Sequence, residues 1–108
     1  MIDFEKAKNW SEERLMFEIN EISEEIRKLE NKVSERRQYN KEAAIRYDEI
    51  KEEMYNRGSN NIYSGYEEDL GAWMSVIRGH NDEIFKLTNE VKLKNDVKEK
   101  LKSILRSK

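Results

Sequence analysis

Twelve positions between Leu15 and Met54 are spaced by four and three residues in strict alternation: Leu15, Ile19, Ile22, Ile26, Leu29, Val33, Arg36, Asn40, Ala43, Tyr47, Ile50 and Met54. Nine of the twelve are aliphatic or aromatic, and one more is Met54. A strand repeats every second residue, so this spacing cannot be one. It is a heptad seam held for more than five repeats, and it predicts one long coiled-coil helix.

A second seam follows at the same spacing: Tyr66, Leu70, Trp73, Ile77, His80, Ile84, Leu87, Val91, Lys94, Lys98, Leu101 and Leu105. Between the seams lies a turn-rich stretch. Gly58 suits a helix stop, because glycine tolerates the left-handed conformation after a helix end. Ser64-Gly65-Tyr66-Glu67 has a capping hydroxyl with a glutamate three residues on. The expected layout is a single helical-hairpin domain over 1–108. It has a lead-in at 1–10, a first helix at 11–57, a loop at 58–64 and a second helix at 65–106.

A connection this short makes the helices antiparallel. The seams then meet with Met54 opposite Tyr66, Tyr47 opposite Trp73, Ala43 opposite Ile77, Asn40 opposite His80, Ile26 opposite Lys94 and Leu15 opposite Leu105. Asn40 and His80 form the expected register-fixing polar pair, the role a seam asparagine has in coiled coils. Gly71 and Gly79 lower helix propensity and mark the expected places for a bend or a close helix approach. In the lead-in, Asp3 is a capping residue for a short helix with Phe4, Ala7 and Trp10 on one face. Ser11 before Glu12 and Glu13 is a second start. A separate N-terminal turn and an extension of the long helix are both compatible with these residues.

Charged residues make up 41% of the chain, hydrophobic ones 36%, and proline is absent. That balance approaches disordered composition, but here the apolar residues lie on one stripe, and a thin helical rod needs few of them. The net charge of -2 gives no global pull toward nucleic acid or an anionic membrane. Residues 11–35 carry eight acids against four bases, and residues 92–108 seven bases against two acids. The hairpin sets these segments side by side, so an internal counter-charge accounts for the basic end. No apolar run approaches the roughly 20 residues that span a bilayer, and residues 1–10 lack the apolar core of a signal peptide. The expected location is cytoplasmic, with export independent of a signal peptide as the alternative.

Candidate chemistry is sparse. Cysteine is absent and His80 is the only histidine. A zinc site on one imidazole is poor, and the residue three before His80 is Ile77, which breaks the Glu-x-x-His pattern of di-iron bundles. No serine, threonine or lysine has a base to activate it. The four glycines form no phosphate loop. Neither a catalytic residue, a metal site nor a cofactor is expected, and the chain reads as a non-enzyme.

The binding reading rests on apolar residues that the seam leaves over. At the hairpin tip, Tyr55, Ile62, Tyr63 and Tyr66 are the expected partner-binding residues, since aromatic side chains dominate interface hot spots. Off the seam, Phe17, Ile45, Phe85, Leu93, Val97 and Ile104 are the expected oligomerisation residues, covered when two hairpins pair into a four-helix bundle. Lys94 and Lys98 interrupt the seam where Leu93, Val97 and Ile104 offer a rotated stripe, which turns the second helix toward the lead-in or another chain. The expected function is a non-catalytic protein–protein interaction module: an adaptor, a chaperone-like partner or an inhibitor of a larger protein. It forms a homodimer and has no nucleic-acid or membrane partner.

In overall plan the chain resembles the small helical-hairpin partners of type VII secretion, the WXG100 type. Their turn carries Trp-x-Gly, whereas here it reads Arg57-Gly58-Ser59-Asn60-Asn61-Ile62-Tyr63-Ser64-Gly65, and Gly71-Ala72-Trp73 is reversed in order. The resemblance implies a secreted hairpin partner as one alternative function and carries no residue role. A nucleic-acid-associated protein using the basic C-terminal segment is the other.

Overall fold

The computed structural model describes residues 2–56 and 64–108. It is 92% helical, and no strand occurs among the described residues. Three helices follow in order: α1 (Phe4–Ala7), α2 (Glu12–Asn56) and α3 (Ser64–Arg106). The two long helices pack against each other, as a helical hairpin requires. The Gly58 stop lies outside the described residues, as do Ile62 and Tyr63 at the tip. No helix of the described residues is long and apolar enough to cross a membrane.

The lead-in is a separate turn. Asp3 Oδ1 accepts from the backbone N–H of Glu5 at 3.1 Å and of Lys6 at 3.4 Å, which starts α1. The turn then breaks, and Ser11 Oγ accepts from Arg14 N–H at 3.1 Å to start α2. The two capping side chains, Asp3 and Ser11, satisfy N–H groups that each helix start would otherwise leave open.

The fold divides into two compact units, Met1–Lys32 with Lys86–Lys108, and Val33–Phe85. The first, unit 1, has a core of Ala7, Leu15, Ile19, Ile22, Ile26 and Leu101. Leu15 and Leu101 are fully buried. Around them pack Ile2, Phe4 and Trp10 from the lead-in, and Val91, Val97, Ile104 and Leu105 from α3. Three segments therefore surround one core, and the rotated stripe of α3 turns toward the lead-in. Lys100 Nζ sits 4.9 Å from the centre of the Phe4 ring, and Arg14 lies 4.1 Å over Trp10. Lys108 Nζ donates to the Lys8 carbonyl at 3.0 Å. Together these contacts tie the lead-in to both long helices. Lys94 reaches Glu25 across the pair at 2.8 Å.

The second, unit 2, contains only α2 and α3. Its buried side chains are Val33, Ala43 and Ile50, all from α2. No described α3 residue from Tyr66 to Phe85 is buried; Leu70, Trp73, Met74, Ile77 and Ile84 are half-buried. Two helices cover one side of each seam, and among the described residues of this unit nothing corresponds to the lead-in. α3 runs through Gly71 and Gly79 without interruption. A Cβ built at either glycine meets nothing within 4 Å. The expected close helix approach at these glycines is therefore absent among the described residues.

Candidate functional site

A polar layer interrupts the seam of unit 2, and its partners differ by one residue from the expected pairing. Asn40 Nδ2 donates to Asn81 Oδ1 at 2.8 Å instead of pairing with His80. His80 stacks on Tyr39, with ring centres 6.0 Å apart, and Arg36 Nη1 lies 3.5 Å from its Nδ1. Asn81 precedes the next seam residue, Ile84, by three. One helical step carries it toward the Asn40 amide, while the larger imidazole turns to the flank where Tyr39 gives it a ring to stack on. Asn40 Oδ1 is buried without a hydrogen-bond partner. Turning the Asn40 amide over sets its oxygen against Asn81 Oδ1, also an acceptor, so the bond survives only if Asn81 turns with it, and one polar atom of Asn40 is left alone in either case. The layer is thus incompletely satisfied, which matters more than the single bond it makes.

The expected partner-binding and oligomerisation residues fall into three environments. Val97 and Ile104 are half-buried against the unit 1 core, so the lead-in consumes part of their surface. Phe17 and Leu93, also in unit 1, are exposed at 60% and 66%. In unit 2, Ile45 is half in water, and Tyr55 and Phe85 are each 68% exposed. Tyr66 is half-buried. Tyr39 and Val76 add to the exposed apolar side chains of unit 2, and Met16 to those of unit 1. Sequence reasoning missed Asn81 and Ile2. The signal for Asn81 was its place one residue off the seam beside Asn40; nothing in the periodicity marked Ile2.

No chemistry-bearing constellation appears among the described residues, where no group of three His, Asp or Glu side chains is placed to hold a metal ion. A shallow groove of about 340 Å³ in unit 1 is lined by Ile2, Ile22, Val97, Glu18, Glu21, Glu25 and Lys94, and its one lysine is already bonded to Glu25. Glu24 is held below the usual carboxylate range by the hydrogen bond and positive charge of Arg27, with Lys28 adding to it, all at the exposed surface. The basic end is less neutralised than the charge count implies. Among the described residues Lys94 is the only base of 92–108 paired with an acid of α2, and Lys102 pairs with Glu99 of its own helix.

No protein-family model, curated protein or solved structure matches the chain. What the molecule offers is therefore read from its own surface. The largest difference between the two units is coverage. Unit 1 closes its core with a third segment, and unit 2 presents a half-buried α3 seam edged by exposed aromatic and aliphatic side chains.

Proposed function

We propose that the chain is a non-catalytic protein–protein interaction module whose interface is the uncovered α2–α3 surface of unit 2. One observation carries this reading: α3 has seven large apolar residues at or beside the seam from Tyr66 to Ile84, and none is buried. Among the described residues, five of the eight exposed large hydrophobic side chains, Tyr39, Ile45, Tyr55, Val76 and Phe85, belong to the same unit. Apolar surface of this kind, rimmed by charge, is stabilised by covering it with another chain. Aromatic residues suit that role because they bury a large area with few rotatable bonds.

The test is photo-crosslinking in the native host. A benzophenone amino acid is placed at Tyr55, at Phe85 or, as a control in unit 1, at Phe17. Discrete protein adducts from the unit 2 positions and none from Phe17 support the interface. Adducts at Phe17 alone, or at none of the three positions, refute it.

A further inference from the structure

In the polar layer of unit 2, the half-buried His80 can change from acceptor to donor by taking up one proton. Arg36 Nη1 lies 3.5 Å from its Nδ1. A guanidinium only donates, so Nδ1 is the acceptor and the ring carries its one hydrogen on Nε2. The ring in this contact is therefore uncharged. A proton on Nδ1 removes the acceptor and sets an imidazolium against a guanidinium at hydrogen-bond distance, where like charges repel. The Tyr39 ring, 6.0 Å away and inclined by 28°, does not oppose the proton, because an aromatic face also attracts a cation. Arg36 is the neighbour that the charged ring has to leave.

The same layer holds an acceptor in need of a donor. Asn40 Nδ2 is anchored on Asn81 Oδ1 at 2.8 Å, and Asn40 Oδ1 is buried without a hydrogen-bond partner. Asn81 is the chain neighbour of His80, and Asn40 and His80 occupy facing positions of the two seams. The residue that gains an N–H on protonation thus stands across the seam from the oxygen that lacks one. The other charged groups nearby do not choose between the two positions of the ring. On α2, Lys32 and Glu35 precede Arg36, and Glu42, three residues after Tyr39, accepts from Gln38 Nε2 at 3.3 Å. On α3, Arg78 and Asp82 lie two residues to either side of His80, and Glu83 lies one turn on. Glu83 belongs to the same helix as the ring, so it favours the charged form in both positions.

We infer that His80 is a protonation switch of this layer. Uncharged, its Nδ1 accepts from Arg36 and the ring stacks on Tyr39. Charged, it leaves Arg36 and donates an N–H to Asn40 Oδ1. The only chemical change is one proton taken from water onto Nδ1. The exchange trades a bond at the exposed edge of the layer for one to a buried oxygen, which is the costlier atom to leave unbonded. It also releases Arg36 and Tyr39, both on the exposed surface of α2, from their contacts with α3. The switch stands on the geometry of the layer and does not depend on what unit 2 binds.

The test is NMR spectroscopy of the isotope-labelled full chain between about pH 8 and pH 5, the range in which an imidazole ordinarily changes charge. Far-UV circular dichroism is the folding control. At the alkaline end, long-range proton–nitrogen correlations should place the ring hydrogen on Nε2, and nuclear Overhauser contacts should join His80 to Tyr39. At the acidic end the Tyr39 contacts should be lost and contacts to the Asn40 side-chain amide should appear. The Asn40 amide resonances should move with the same midpoint as the His80 ring. In His80→Gln they should stay fixed over that range. A neutral ring with its hydrogen on Nδ1 overturns the inference, because it cannot accept from Arg36. So does a ring that takes up its proton while the Tyr39 contacts persist and the Asn40 amide does not move, as when both amides of the layer are turned over. An Asn40 amide that still titrates in His80→Gln overturns it too. The first two results come from the parent chain, so they decide the matter even if the variant fails to fold.

Discussion

Replacing Gly79 by alanine should stabilise the protein, and the structure sets the size of the gain. Gly79 sits inside α3, which continues for 27 residues beyond it to Arg106. Its backbone is not in the left-handed region, and a Cβ would meet nothing within 4 Å. No packing term therefore opposes the propensity term. Glycine in a helix interior is less favourable than alanine by about 0.8–1 kcal/mol, mostly through the unfolded chain's extra freedom. Gly71 has the same surroundings within one chain. The two sites are eight residues apart, about 12 Å along the helix, so their effects should add to about 2 kcal/mol. For a domain of about this size each kcal/mol moves the thermal midpoint by roughly 4–8 °C. The assay is thermal and urea unfolding followed by far-UV circular dichroism at low micromolar concentration, with an unchanged urea slope as the check on a common denatured state. A loss of stability in Gly79→Ala would refute the reasoning, since it requires a close neighbour or a strained backbone that the structure does not have.

Other outcomes follow from the core, the polar layer and one surface pair. Leu15→Ala or Leu101→Ala should cost about 3–5 kcal/mol, because each removes a fully buried side chain from the unit 1 core, whereas Phe17→Ala should stay within about 0.5 kcal/mol; chemical denaturation measures both. Asn40→Leu should raise stability by about 1–2 kcal/mol, since it removes a buried acceptor that has no partner and gives up one bond to an exposed asparagine, and a lowered urea midpoint would count against this. The folded-state acidity of Glu24 is raised by Arg27, so its pKa is depressed. Its contribution is present above the unfolded glutamate value and disappears as pH falls through the folded one. Arg27→Gln should move the Glu24 titration upward by NMR and flatten stability against pH only in that acid range.

The seams were legible because they dominate burial. Of the ten buried hydrophobic residues among those described, all but Ala7 are seam positions, from Leu15, Ile19, Ile22 and Ile26 in α2 to Leu87 and Leu101 in α3. Heptad spacing names the face a helix turns inward, and that part transfers directly from sequence to structure. It does not name what covers the two flanks beside that face. Val97 and Ile104 illustrate the gap: their spacing marked an apolar stripe, but only the structure shows Ile2, Phe4 and Trp10 packed on the same core. The polar layer was legible to within one residue. Asn40 was identified as a seam amide, yet its partner is Asn81, because a one-residue difference in partner changes no apolar contact and leaves no trace in the hydrophobic pattern. The glycines were misread for a related reason. A helix-weakening residue signals that something needs the space, and sequence alone does not say whether that something belongs to the same chain.

Coverage also gives a physical basis for the proposed interaction surface in a highly charged chain. In unit 1 the lead-in contributes a third apolar segment, and the core there contains both fully buried leucines. That unit has the larger share of hydrophobic burial. In unit 2 the same seam is present, but burial stops at Val33, Ala43 and Ile50, and the α3 side remains half in water. The exposed charges cannot make up the difference, since surface ion pairs such as Arg46–Glu49 contribute only about 0–1 kcal/mol. A chain that covers unit 2 therefore adds stability through mass action as well as affinity, because it binds the folded unit and not the unfolded one. Selection for such a partner would retain features that are costly to the monomer, namely the unsatisfied Asn40 amide, the open Gly71 and the exposed Tyr55 and Phe85. Each of these is destabilising or neutral in a lone hairpin, and all four lie in unit 2, where the interaction surface is proposed.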